Sequence, residues 1–290
     1  MEVKRVAIVG AGLMGTGISQ VVAAGGYAVS VIDISDDIIE KSKRTVSGQL
    51  RRSVEKGRID EAAAQATLGK ITFTTELENG VRDADYVIEA VPEILDLKKK
   101  VLSQVDEAAK ASAIIASNTS ELSIASLALA TRRAAQVIGT HWFFPPVVMR
   151  LIEVVVAPST SPGTVETSID LCRRIGKEAV VCKDCAGFIT SRAISALISE
   201  CMRIYEDGIA SFEDIDKAMR LGFNHPMGPF QLADMSGVDV VYHSVSSLGE
   251  AYGQERFRAS PLMADLIREG KLGQKTGKGF YDYGSEGQKK

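Results

Sequence analysis

The sequence predicts an α/β fold in two parts: an N-terminal domain with a mostly parallel sheet, and an all-α C-terminal domain. Through residue 184, short β-branched runs alternate with stretches of helical periodicity, the pattern of βαβ units. The first run leads into a glycine-rich turn that opens a helix. From Gly187 onward the strand signals stop and helical stretches follow one another.

Taken in order, the first strand is expected at 6–9 (VAIV) and the first helix at 12–24. VAIV is apolar throughout, as in a strand covered by helices on both faces. A strand at 29–33 and a helix at 37–56 follow. Strands at 71–74 and 86–90 (YVIEA) precede a helix at 95–110. Strands at 114–117, 137–140 and 151–156, a helix at 165–175 and a last strand at 178–182 complete the domain, 1–184. In the second domain, 185–290, helices are expected at 188–205, 212–221, 229–251 and 261–269. The tail SEGQKK after Gly284 reads as disordered.

Composition narrows the class of protein. At 290 residues with 45% hydrophobic and 24% charged side chains, the chain is an ordinary globular protein. A formal charge of −3 and a pI near 5.8 give no reason to expect a nucleic-acid partner. No apolar run approaches the roughly 18–20 residues that span a bilayer. No small-residue cleavage site follows the apolar N-terminal run, so a cytoplasmic location is expected. Cys182 and Cys185 have Cys-x-x-Cys spacing, but Cys172 and Cys201 supply no second ligand pair, and reduced thiols are expected rather than a metal site.

The turn Gly10-Ala11-Gly12-Leu13-Met14-Gly15 lies between strand and helix, where Gly-x-Gly-x-x-Gly carries physical meaning. Gly10 permits the tight turn, Gly12 lets backbone approach a pyrophosphate, and Gly15 allows close helix–strand packing. The helix N-terminus supplies N–H groups and the positive end of a dipole. Asp33, closing the second strand, is placed to accept from both ribose hydroxyls, so this half of the chain is expected to be Rossmann-like. Its charge, with no Arg or Lys in the following ISDDI, favours NAD over NADP.

With these residues in place, the chain resembles the L-3-hydroxyacyl-CoA dehydrogenase family, and in particular its short 3-hydroxybutyryl-CoA dehydrogenases. The similarity runs through VAIVGAGLMGTGISQ, ASNTSELSI, HWFFPPVVMRLIEVV, AGFITSR, HPMGPFQLAD and KTGKGFYDY, in that order. It implies NAD-dependent oxidation of the 3-hydroxyl of an acyl-CoA to a ketone. It also implies a helical C-terminal domain that forms most of a homodimer interface.

Oxidising a secondary alcohol requires a hydride acceptor and a base for the hydroxyl proton. His141 stands at the carboxyl end of a strand, where sites in open α/β sheets collect. By itself it reads equally as a core histidine. Glu153 lies in the apolar strand LIEVVV, where an unpaired carboxylate is costly. A facing histidine resolves that cost, and the carboxylate in turn orients the ring and stabilises imidazolium. The resemblance implies the same His–Glu pair.

The resemblance also implies that Ser120 hydrogen-bonds the substrate oxygen beside the nicotinamide; as an alternative, Ser120 reads as a helix N-cap before LSIASLAL. It places Glu93 and Lys98 on the nicotinamide ribose side and Lys275 on a cofactor contact from the second domain, with solvated surface charge as the competing reading for all three. Lys56 matches a CoA-binding lysine. The helix around it carries Lys41, Lys43, Arg44, Arg51, Arg52 and Arg58, either a CoA-attracting face or a solvated one. The neighbouring CoA-contacting serine of some relatives is Gln49 here.

Two departures concern the cofactor and the substrate. Phe144 stands where relatives usually carry Asn, a position that reads the cofactor ribose and the substrate region. Ser191 replaces the Asn that donates to the substrate carbonyl, one donor in place of two. An apolar or bulkier acyl group beside Trp142 and Phe144 is the corresponding expectation. Against the acyl-CoA dehydrogenase stand a related dehydrogenase of free hydroxy or sugar acids and a non-catalytic NAD-binding protein.

Overall fold

A computed structural model describes residues 1–253 and 256–284, so the SEGQKK tail lies outside the described residues. Contact density divides the chain into two units, Met1–Phe188 and Ile189–Lys290.

The first unit runs β1 (Arg5–Val9), α1 (Leu13–Ala24), β2 (Ala28–Ile32), α2 (Asp36–Glu55), α3 (Glu61–Leu68), β3 (Ile71–Thr74), α4 (Leu77–Val81), β4 (Tyr86–Glu89) and α5 (Leu95–Ala108). It continues with β5 (Ile114–Ser117), α6 (Ile124–Ala128), β6 (Val137–Trp142), β7 (Leu151–Val156), α7 (Pro162–Arg174) and β8 (Glu178–Lys183). The eight strands form one sheet in the order β3-β2-β1-β4-β5-β6-β7-β8. Every pairing is parallel except β6 with β7. The chain leaves β1 in one direction to build β2 and β3 and in the other to build β4 onward. The switch point therefore lies between β1 and β4, where ligands of such sheets bind.

Strand periodicity sorts the core into two layers. Val6, Ile8, Val29, Val31, Ile88 and Ile138 pack with Ile18 and Val22 of α1 and Leu171 of α7. Ala7, Val9, Ile32, Val87, Ile115 and Val155 pack with Val81 of α4, Leu102 and Val105 of α5, and Ile124 and Leu127 of α6. Helices on both faces explain why VAIV and YVIE contain no outward polar alternation. All eight expected strands form within two residues of their expected ends. Three short helices, α3, α4 and α6, are additional, and two of them are only five residues long.

The second unit is helical: α8 (Thr190–Glu206), α9 (Phe212–Phe223), α10 (Pro229–Ser236), α11 (Val238–Tyr252) and α12 (Pro261–Arg268). The single helix expected over 229–251 is two, because Gly237 sits at φ 102°, outside the helical region, and breaks it. Two buried carboxylates hold this unit together. Asp216 accepts from Phe230 N, Gln231 N and the Tyr281 hydroxyl. Asp234 accepts from Phe280 N, Tyr281 N and the Tyr283 hydroxyl. These bonds are what HPMGPFQLAD and KTGKGFYDY do for the fold.

Candidate active site

The glycine turn is built by contact. A Cβ on Gly15 would lie 1.8 Å from the Gly10 carbonyl oxygen, and one on Gly10 would lie 2.6 Å from that of Ala90. A Cβ on Gly12 would meet nothing within 4 Å. The crowded glycines shape the turn, and the open one leaves room above it. Gly12 caps α1 without a side-chain hydrogen bond to its first turn. That combination, open space over an uncapped helix N-terminus, fits a pyrophosphate. Ala11 and Gly15 are buried, Met14 is half-buried, and Leu13 is exposed.

Asp33 follows β2, with Oδ2 accepting from Ala11 N at 2.8 Å and Oδ1 from Ser35 N at 3.3 Å. The carboxylate is thereby tied to the glycine turn and keeps lone pairs for a ribose. Ser35 caps α2, whose first turn holds Asp36 and Asp37. These charges disfavour a 2′-phosphate in the same place. Thr16, whose hydroxyl is hydrogen-bonded to the Ala11 carbonyl and to the Ser42 hydroxyl, braces the turn against α2.

The β6–β7 pairing is the one antiparallel step in the sheet, and its register sets His141 directly opposite Glu153. Both point to the α6 side, since Ile138, Trp142, Ile152 and Val154 face the other layer. His141 Nδ1 lies 2.7 Å from Glu153 Oε2, with Glu153 fully buried and His141 6% exposed. The rings of Phe143 and Phe188 stand 4.4 and 5.9 Å from the imidazole. Phe188 holds a left-handed φ of 46° and is itself buried.

Ser120 lies in the segment after β5. Its N–H donates to Glu93 Oε1 at 2.9 Å, and the Thr119 hydroxyl donates to the same oxygen. The N-cap of α6 is Ser123, which accepts from Ser126 N at 3.2 Å. The capping role considered for Ser120 therefore belongs three residues later. Asn118 accepts from Trp142 N at 3.0 Å and ties the Ser120 segment to the residue beside His141.

Lys98 is neither a surface charge nor an accessible contact: it is fully buried, with Nζ 2.7 Å from Glu89 and 3.2 Å from Glu93. Sequence reasoning missed Glu89, the last residue of β4, although a carboxylate in YVIEAV carries the same signal as Glu153 in LIEVVV. Trp142, expected beside the acyl group, is a core residue, because strand alternation turns it away from the His141 face. Phe144 is 63% exposed, on a loop that Lys177 pins by donating to the Pro146 and Met149 carbonyls at 2.6 Å each.

Lys56 is exposed at the C-cap of α2, remote in sequence from every other site residue. Of its neighbours, Lys43 pairs with Glu40 and Arg51 with Glu55. In the second unit, Ser191 is half-buried in the first turn of α8, and Lys275 pairs with Asp239 at 2.6 Å. All four cysteines are free thiols. Burial, reinforced by the Glu153 charge, pushes the Cys182 thiol up to about 12. Among the described residues, no helix is long and apolar enough to cross a membrane.

A glycine turn at a parallel-sheet switch point, an acidic residue after β2 and a buried His–Glu pair define an NAD-dependent oxidoreductase. The chain belongs to the 3-hydroxyacyl-CoA dehydrogenase family. Residues 5–185 match the family's NAD binding domain and 187–283 its C-terminal domain. It is 42% identical over 287 residues to the mitochondrial hydroxyacyl-coenzyme A dehydrogenase of Sus scrofa, covering 97% of this chain and 91% of that one. It is 39% identical over 279 residues to the 3-hydroxybutyryl-CoA dehydrogenase of Clostridioides difficile, covering 96% and 99%. The solved (S)-3-hydroxybutyryl-CoA dehydrogenase of Ralstonia eutropha superposes with a TM-score of 0.95 at 39% identity, over 98% of this chain and all of that one.

Proposed function

We propose that the chain interconverts a 3-hydroxyacyl-CoA and its 3-ketoacyl-CoA, with His141 exchanging the hydroxyl proton and Glu153 orienting it. The observation that carries this reading is the 2.7 Å contact between His141 Nδ1 and Glu153 in a fully buried setting. Donation from Nδ1–H to the carboxylate fixes the tautomer with its lone pair on Nε2, and the same carboxylate stabilises the imidazolium that forms. NAD, when bound, supplies the hydride acceptor. Gly10, Ala11, Gly12, Leu13, Met14 and Gly15 hold its pyrophosphate, Asp33 its adenosine ribose, and Glu93, through the segment it braces, the nicotinamide side.

Ser120, fixed through its backbone by Glu93, donates to the substrate oxygen. Ser191 takes the place of the usual amide as a second donor. Phe143 and Phe188 exclude water from the imidazole, which strengthens its bond to Glu153. Lys56 and the cations around it on α2 attract the CoA phosphates. Phe144 marks the acyl side, and Lys275 keeps the cofactor-contact role that the family resemblance implies. The reading extends to a reduced, cytoplasmic setting, supported by the four free thiols. It extends also to a homodimer, supported by exposed Leu221, Phe223, Met235 and Val240 on the helical unit.

The test is oxidation of 3-hydroxybutyryl-CoA and of free 3-hydroxybutyrate with NAD, in wild type and His141→Gln. Turnover of the thioester alone, abolished in the variant while NADH binding persists, is the expected result. Near-normal turnover in the variant refutes the assignment of His141. Preference for the free acid refutes the acyl-CoA substrate.

A further inference from the structure

The carboxyl ends of β1, β4, β5 and β6 stand side by side in the sheet. The pyrophosphate seat lies at the end of β1 and His141 at the end of β6. A ring that exchanges hydride with a carbon whose oxygen reaches His141 therefore has to lie over the ends of β4 and β5. Those ends carry charge. Glu89 Oε1 accepts from Lys98 Nζ at 2.7 Å and from Val91 N at 2.8 Å, and its Oε2 accepts from Ser117 Oγ at 2.5 Å. Lys98 Nζ also donates to the Val91 carbonyl and pairs with Glu93 Oε2 at 3.2 Å. Glu89, Lys98, Ser117 and Thr119 are all fully buried, while the Glu93 side chain is 34% exposed.

Two carboxylates thus share one ammonium, leaving a net negative charge at the site, and Glu93 is the member that solvent reaches. Holding the Ser120 segment does not require that charge, because a neutral acceptor could receive the Ser120 N–H and the Thr119 hydroxyl equally. One lysine cannot balance two carboxylates, so a further positive charge placed beside the solvent-reached Glu93 is attracted to the cluster. The two oxidation states of the cofactor differ by one such charge: the oxidised nicotinamide ring is a cation and the reduced ring is neutral.

We propose that the Glu89–Lys98–Glu93 cluster selects the oxidation state of the cofactor, favouring the oxidised, cationic ring over the reduced one. This rests on the reading that NAD binds beside His141. When an alcohol is oxidised there, its C–H pair leaves as hydride to the ring, its O–H pair becomes the second carbonyl bond, and its proton passes to His141. The positive charge moves from the ring to the imidazole, and the total is unchanged. Glu93 acts on the charge where it starts and Glu153 where it ends. The two carboxylates set the direction of the reaction against each other.

The dissociation constants of NAD+ and NADH, measured on the whole protein by calorimetric titration, test this. Glu93→Gln keeps the shape and the acceptor for Ser120 N but removes the charge. The ratio Kd(NAD+)/Kd(NADH) is expected to rise about five- to tenfold, as Coulomb's law gives for unit charges across a partly solvated site. Glu93→Asp, which retains the charge, leaves the ratio within about twofold. Thr119→Val, which removes the hydroxyl's hydrogen bonds to Glu93, Glu121 N and Leu122 N but no charge, moves both constants together. If Glu93→Gln weakens both forms equally, or changes neither, the selector is overturned. If the wild-type protein binds neither form, the NAD reading itself fails.

Discussion

Glu153→Gln separates a residue kept for chemistry from one kept for stability. The wild-type carboxylate is fully buried and 2.7 Å from His141 Nδ1. Replacing it removes a charge-assisted hydrogen bond worth about 1.5–3 kcal/mol. It also removes the desolvation penalty of a buried carboxylate, several kcal/mol in the opposite sense. The two nearly cancel, so the variant should fold with its stability changed by no more than about 1 kcal/mol. For a chain of this size that is a Tm change of about 2–4 °C. Catalysis has no such compensation. An amide does not stabilise imidazolium, and its NH2 can turn toward Nδ1 and select the wrong tautomer, so kcat is expected to fall about 10²–10⁴-fold. Initial rates of NADH formation from 3-hydroxybutyryl-CoA, a thermal melt and an NADH titration on the same preparation measure all three. A loss of rate accompanied by an equal loss of NADH binding and a collapsed melt would show Glu153 to be structural. Retention of the rate would remove it from the mechanism.

Three further perturbations test other parts of the site. Gly12→Ala adds a Cβ that meets no protein atom, so the melt should be unchanged while NADH binding weakens about tenfold or more; unchanged binding would move the pyrophosphate elsewhere. Asp106 is buried at the end of α5, and burial raises its carboxyl, but hydrogen bonds from Arg132 and Arg133 outweigh this and hold it below the ordinary carboxylate range. A lowered folded-state pKa contributes stability that is present above about pH 3.9 and lost as pH falls through the folded value. Asp106→Asn should therefore cost about 2 kcal/mol at pH 7 and distinctly less at pH 3, and an equal loss at both would refute the linkage. Phe144→Asn places an amide at a pinned, exposed loop position, so it should leave Tm unchanged and lower kcat/KM about threefold or more for medium or branched 3-ketoacyl-CoA relative to the four-carbon substrate. A wild-type profile already peaking sharply at four carbons would remove Phe144 from specificity.

The central strands β1, β4 and β5 were legible because a sheet covered on both faces writes its inner strands as nearly unbroken apolar runs. Helices α4 and α6 were not, since five residues hold too little periodicity to detect. The break at Gly237 was hidden because an isolated glycine within a helical pattern is often tolerated, and only tertiary packing decides otherwise. The glycine turn, Asp33 and the His–Glu pair could be named from sequence because each breaks a local pattern for a chemical reason. Lys98 could not be placed, because its burial depends on Glu89 from a neighbouring strand. Ser120 was ambiguous for a similar reason: SELSI contains two serines able to start α6, and only the hydrogen bond from Ser126 N to Ser123 chooses between them.

Glu89 and Glu153 make the same physical point from two strands. Each is a carboxylate in an otherwise apolar strand that core packing alone would fill with valine or isoleucine. Each is buried completely, and each has a basic partner within 2.7 Å. Their partners differ in what they can do. Lys98 and Glu89 form a buried ion pair, the fixed member of the two, extended toward solvent by Glu93. Imidazole is the side chain suited to passing a proton on, so the Glu153 pair is the variable one. A site that moves one positive charge over a few ångströms needs both kinds. The antiparallel β6–β7 step supplies the variable one, since that register alone in the sheet sets its two members face to face. The parallel β4–β5 step, with α5 reaching back over it, supplies the fixed one. On this reading the one antiparallel step, which reverses β7 and β8 against the other six strands, is the feature that lets a nucleotide-binding frame carry out proton transfer.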